Sequence, residues 1–124
     1  MKNKTLSEFE WQIMRVLWDN KKASVREVHN IISQIQDKAY TTVQTYMERL
    51  VGKSFLVKEK IGSVNFYYPK VMEFDIQKNE TSNLMKKVFN GSFQKMAAFL
   101  FDVDNVSEKD LVKIKAMLKE NEDE

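Results

Sequence analysis

The sequence predicts a mainly α-helical chain carrying one small β-hairpin, and three observations predict it. Two capping boxes, Ser7-Glu8-Phe9-Glu10 and Ser24-Val25-Arg26-Glu27, each open a run of apolar residues at helical spacing. A Gly62-Ser63 connector separates two β-rich runs. Beyond Pro69, the lone proline, apolar groups return three more times at a helical period. A length of 124 residues suits one domain, or a small domain with an attached oligomerisation segment.

In the first box the Ser7 hydroxyl can accept the Glu10 amide while the Glu10 carboxylate accepts that of Ser7. Phe9, Ile13, Val16 and Leu17 then form one stripe, with Trp11, Met14 and Trp18 beside it. A helix so widely apolar should be enclosed by its neighbours. The second box is followed by the stripe Val25, Val28, Ile32 and Ile35.

A third helix is expected from about Tyr40 to about Lys53. At ~100° per residue, Tyr46, Leu50, Val43, Met47 and Val51 fill one arc of it. Gln44, Glu48, Thr41, Thr45, Arg49 and Thr42 fill the opposite arc, and the two sets do not overlap. Phe55–Ile61 and Val64–Tyr68 read as strands, with Gly62 supplying the positive φ of a type II′ turn. Three helices followed by a hairpin is the order of a winged helix-turn-helix domain, placed here at residues 1–70.

Residues 71–124 are expected to form a helical dimerisation segment. Their apolar groupings are Leu84, Met85, Val88 and Phe89; Phe93, Met96, Ala97, Leu100 and Phe101; and Leu111, Ile114 and Leu118. Asn90-Gly91-Ser92 reads as a C-cap glycine followed by an N-cap serine, and Ser107 precedes the last helix. So short a segment cannot bury so many large groups alone. Packing on the first domain is one solution; a second copy of the chain is the economical one. The expected homodimer interface is Leu84, Val88, Phe89, Phe93, Met96, Leu100, Phe101, Leu111, Ile114 and Leu118. The acidic tail, residues 120–124, is expected to fray.

Composition excludes much chemistry. With no Cys and a single His, His29, cysteine metal sites and histidine pairs are unavailable. No phosphate-cradling glycine loop or nucleophile elbow is present, so no enzyme activity, cofactor, metal or small-molecule substrate is expected. No apolar run approaches the ~20 residues of a membrane span, and MKNKTLSEFEW holds no apolar signal core, so the expected location is cytoplasmic.

Charge points to a partner. Residues 1–69 carry 11 Lys/Arg against 7 Asp/Glu, a balance of +4, while residues 70–124 carry 9 against 11, a balance of −2. The polar arc of the third helix holds three Thr and a Gln, whereas Lys and Glu dominate ordinary solvated faces. A solvated face is the plain reading. The sharper one is a helix in the major groove of double-stranded DNA, where Gln pairs with adenine and Thr methyls meet thymine. Thr41, Thr42, Gln44 and Thr45 would then reach base edges, with Arg49 touching a phosphate or holding the helix in place. Lys53, Lys58 and Lys60, with Ser63 and Asn65 at the wing, would meet the backbone. Tyr67 and Tyr68 read as hairpin packing. The alternative is a winged-helix protein-interaction module that has lost DNA binding, kept open by the modest +4.

Leu6-Ser7-Glu8-Phe9-Glu10-Trp11-Gln12-Ile13-Met14-Arg15-Val16-Leu17-Trp18 resembles the opening of the penicillinase-repressor family. The likeness continues through Thr42-Val43-Gln44-Thr45, Arg49-Leu50, Phe66-Tyr67-Tyr68-Pro69 and Asn90-Gly91-Ser92. The resemblance implies a homodimeric repressor on a palindromic operator, controlling a β-lactam-resistance-type or related operon. It also implies relief by a membrane sensor-protease pathway that cuts an Asn-Phe bond in the dimerisation segment. Here the corresponding pair is Phe99-Leu100, a departure at that bond. The family's copper-responsive branch uses cysteines that this chain lacks. Many relatives carry longer basic groups where this chain has Thr41 and Gln44, which implies a different operator and weaker salt dependence.

Overall fold

Ser7 caps the first helix as its box predicts. In the computed structural model, residues 5–103 and 107–122 are described, with side chains to 102 and from 107 to 117. The Glu10 amide donates to Ser7 Oγ at 3.3 Å, and the Ser7 amide donates to Glu10 Oε1 at 2.8 Å. Helix α1 (Glu8–Asn20) ends where Lys21 takes a φ of 72° and its amide donates to the Leu17 carbonyl. Ser24 and Glu27 form the same reciprocal box at the head of α2 (Val25–Ile32). That helix stops at Ile32, so Ile35 falls outside the expected stripe, in the turn beyond, and is 76% exposed. Helix α3 spans Tyr40–Gly52.

A short strand β1 (Ala23–Ser24) precedes α2; the hairpin is β2 (Leu56–Ile61) and β3 (Val64–Pro69). All pair antiparallel in the order β1-β3-β2, with Ile61 opposite Val64 across the turn and Ala23 opposite Tyr67. Gly62 has φ 65° and Ser63 is not among the positive-φ residues, the pattern of a type II′ turn. Strand β1 is too short to show a period, so the sequence alone suggests two strands and the fold has three.

One core holds these elements together. Ile13, Met14 and Leu17 of α1 meet Val28 and Ile32 of α2 and Val43, Met47 and Leu50 of α3. Phe55, Leu56 and Tyr67 close it from the hairpin. Burial of side chains this size stabilises by about 1.5–3 kcal/mol each. It also settles the rotation of α3, since three members of its apolar arc are fully enclosed and the opposite arc must face outward.

The chain divides into two compact units, Met1–Glu80 and Thr81–Glu124. The first reaches past the boundary expected at residue 70 because the start of α4 (Glu73–Val88) belongs to it. Ile76 joins the core, Trp18 Nε1 donates to the Val71 carbonyl at 3.0 Å, and the Leu6 amide donates to the Glu80 carboxylate at 3.3 Å.

In the second unit, α5 (Phe93–Val103) and α6 (Glu108–Glu122) follow α4. Asn90 and Gly91 turn the chain with φ of 53° and 81°, and Ser92 Oγ then accepts the Lys95 amide at 3.1 Å. Ser107 Oγ accepts the Asp110 amide at 3.0 Å. Helix α6 takes in residues 120–122, so the tail expected to fray is helical that far; residues 123–124 lie outside the described residues. Leu84, Val88, Phe93, Leu100, Phe101 and Ile114 are exposed, while Phe89, Met96 and Leu111 are half-buried. The Leu118 side chain lies outside the described residues. Among the described residues, no helix is long and apolar enough to cross a membrane.

Candidate nucleic-acid interface

The outward arc of α3 carries the candidate reading residues. Thr41, Gln44, Thr45 and Arg49 are exposed, and Thr42 is half-buried. The Thr45 hydroxyl donates to the Thr41 carbonyl one turn back at 2.9 Å. Arg49 lays its guanidinium 4.8 Å from the centre of the Tyr46 ring. That cation–π contact lies within α3, so it ties Arg49 to no other element and leaves the guanidinium exposed. The Thr and Gln side of α3 is not covered by the described residues of the chain.

The turn that presents α3 is set by His29. Its Nε2–H donates to the Lys38 carbonyl at 2.7 Å, and its ring meets the edge of Tyr40 at 5.7 Å. Among the described residues no cluster of acidic, histidine or cysteine side chains could hold a metal.

The expected lysines do not act alike. Lys53 turns inward: its Nζ lies 2.9 Å from both oxygens of Glu10, a carboxylate only 2% exposed. Burial alone would raise the Glu10 carboxyl, but the Ser7 amide and the Lys53 ammonium outweigh it and hold it below the usual carboxylate range. Lys58 donates to both oxygens of Glu48 at 3.1 Å. The two therefore lie in ion pairs of the protein itself, for the physical reason that each has a carboxylate within reach across the fold. Lys60 has no such partner among the described residues and stands exposed, directly across the hairpin from Asn65. Ser63 and Asn65 are exposed at the wing tip.

Glu48 is the member of the polar arc that sequence reasoning left without a role. Besides Lys58 it accepts the Tyr67 hydroxyl, so one carboxylate of α3 is tied to both strands of the hairpin. The Tyr67 bond, set against partial burial and joined by Lys58, holds the Glu48 carboxyl below its ordinary range. Burial first, then the hydrogen bond to Glu48 and the charge of that carboxylate, push the Tyr67 hydroxyl up. Arg26 was also missed: the first turn of α2 brings it to one cleft with Gln44, Ser63 and Asn65. Its place inside a capping box reads as a helix start, which hides any second role.

A profile of the penicillinase repressor family matches residues 6–120. The methicillin resistance regulatory protein MecI of Staphylococcus aureus (strain N315) is 28% identical over 120 residues, spanning 95% of this chain and 98% of its own. The penicillinase repressor of Bacillus licheniformis is 25% identical over 116 residues, 94% of this chain and 91% of its own. The solution structure of the DNA-binding domain of the repressor BlaI superposes with a TM-score of 0.54 and 32% identity, over 60% of this chain and 93% of that one.

Proposed function

Since the chain belongs to the penicillinase-repressor family, a family of DNA-binding transcriptional repressors, we propose that it acts as a homodimer on a palindromic operator. Each subunit lays α3 in the major groove, with Thr41, Thr42, Gln44 and Thr45 at base edges and Lys60, Ser63 and Asn65 at the backbone. One observation carries this reading: Thr41, Gln44 and Thr45 stand exposed on α3, with Thr42 half-buried beside them, while the opposite arc packs into the core. Short hydroxyls and an amide allow the helix axis to approach base edges, which long Lys and Glu side chains would prevent.

The second copy is supported by the apolar side chains that the unit Thr81–Glu124 leaves exposed, Leu84, Val88, Phe93, Leu100 and Phe101 among them. A second subunit offers the same surface in return, as a two-fold interface requires. The named relatives support a β-lactam-resistance-type operon as the target. Relief of repression follows from cutting α5 at Phe99-Leu100, both exposed, which would divide the dimerisation segment.

Mobility shifts with duplex from upstream of the chain's own gene, against a scrambled duplex, test the reader. Gln44→Ala is expected to cost about 1–3 kcal/mol on the operator and little on scrambled DNA. Equal affinity of wild type and variant for both duplexes would remove α3 as the reader and favour the interaction-module alternative. Mass spectrometry of the protein from induced cells tests relief: intact chain alone, with the target genes on, would exclude the cut.

A further inference from the structure

One cleft of the first unit lies between the two surfaces given to DNA and has no role yet. It measures about 530 Å³ and opens between the first turns of α2 and α3 and the strand β3, with Arg26, Glu27, Tyr40, Gln44, Ser63 and Asn65 on its walls. Two of those walls are the DNA-facing surfaces themselves, Gln44 on the reading helix and Ser63 with Asn65 on the wing. In B-DNA the major groove is parted from the next minor groove by a sugar–phosphate strand. A protein with a helix in the major groove and a hairpin tip beyond it straddles that strand. The space between helix and wing is where the strand must lie, and here that space is this cleft.

Its lining suits a phosphate. Arg26 is exposed, and its guanidinium has no hydrogen-bond or ion-pair partner among the described residues. Glu27 is the one carboxylate among the described lining residues, and it is engaged: its Oε1 accepts the Ser24 amide at 2.8 Å, as the capping box requires. The Ser24 hydroxyl serves the Glu27 amide and the Tyr67 hydroxyl serves Glu48, while the amides of Gln44 and Asn65 and the hydroxyls of Ser63 and Tyr40 can all donate. A planar guanidinium matches two phosphate oxygens at once, which fixes orientation as well as adding charge. In helix-turn-helix docking the helix before the reader crosses the backbone, and Arg26 sits on that helix.

We propose that Arg26 clamps the DNA phosphate strand running through the cleft between α3 and the wing. The inference rests on the operator reading and adds to it a positioning residue outside α3. It predicts a sequence-independent, salt-linked contribution from a residue that touches no base.

The test is a salt titration of operator and scrambled-duplex affinity with the full-length protein. Removing one phosphate-binding cation makes the slope of log affinity against log salt shallower by about 0.9. Arg26→Gln is expected to weaken both duplexes by the same factor and to flatten the slope by about 0.9 per bound subunit, with the unfolding midpoint unchanged. Arg26→Lys should keep the slope and lose only part of the affinity. Arg15→Gln removes an equal charge from α1, where the guanidinium lies 5.5 Å from the Trp11 ring centre, and should leave the slope as it was. An unchanged slope in Arg26→Gln, with operator binding intact, would overturn the clamp alone. Equal flattening in Arg15→Gln would overturn it too, by tracing the effect to net charge. A wild-type protein that retains no duplex at all would overturn the operator reading itself.

Discussion

The two units of the chain differ in what they leave open. The first, Met1–Glu80, builds one core from α1, α2, α3 and the hairpin, leaves Ile35, Met72 and Phe74 outside it, and presents a polar face of α3. The second, Thr81–Glu124, leaves large apolar side chains outside on every helix. What a unit leaves open indicates the chemistry that completes it. Short hydroxyls and an amide suit a surface of hydrogen-bonding edges, whereas Phe and Leu suit another apolar protein surface. The charge balance of the sequence, basic then acidic, follows the same division.

The largest expected effect breaks the apolar side of this comparison. Leu100 is 53% exposed on α5, and Leu100→Glu places a carboxylate where the second copy is proposed to sit. Sedimentation should report half the wild-type mass. Operator affinity should fall by about 100-fold or more, because two linked half-site contacts gain effective concentration that one does not. Unfolding of the first unit should stay within about 0.5 kcal/mol of wild type, since no core residue changes. A monomer binding the operator with full affinity would separate assembly from function and undo the contrast between the units.

An intermediate effect comes from inside the closed unit. Lys53→Met strands the Glu10 carboxylate, and breaking a fully buried pair costs about 3–5 kcal/mol. Here about 2 kcal/mol is expected, because the Lys53 side chain is 37% exposed and the Ser7 amide still serves Glu10. The sign with pH follows from the direction of the Glu10 shift. Its folded-state pKa lies below the ordinary 4.5, so its stabilisation is present above 4.5 and is lost as pH falls through the folded value. The gap between wild type and Lys53→Met should therefore be widest near neutral pH and close under acid. Urea unfolding at pH 7, 5 and 3 measures it; a gap that widened toward pH 3 would contradict the pairing.

Much of this was legible in the residues. Both capping boxes, the Gly62 turn and the Asn90-Gly91-Ser92 cap rest on interactions between near neighbours in sequence, and the rotation of α3 is written in the period of its apolar residues, so local spacing reveals them. What escaped depends on groups far apart in the chain. The pairing of Lys53 with Glu10, of Lys58 with Glu48, and of Ala23 with Tyr67 has no local signal. Nor does the meeting of Arg26 with Asn65, which needs α2 packed beside the hairpin. The domain boundary came out short for the same reason, since Ile76 is claimed by a core assembled from residues 6 to 67. A lysine's charge is visible in a sequence, while the carboxylate that takes it is not.

The smallest expected effect sharpens the comparison within the first unit, between two lysines the sequence treats alike. Lys60 is exposed and unpaired among the described residues, so Lys60→Ala should leave stability within about 0.5 kcal/mol. As a phosphate contact it should weaken operator and scrambled duplex by the same factor and lower the salt slope by about 1 per subunit. Lys53→Met, measured where the protein is fully folded, should do the reverse: a loss of stability with no change of slope, because its charge is already engaged by Glu10. Affinity titrations at several salt concentrations, paired with urea unfolding of both variants, read the two quantities separately. A shallower slope in Lys53→Met and none in Lys60→Ala would mean that the ion pair opens on DNA, and that a side chain folded inward on the free protein is the one the phosphates recruit.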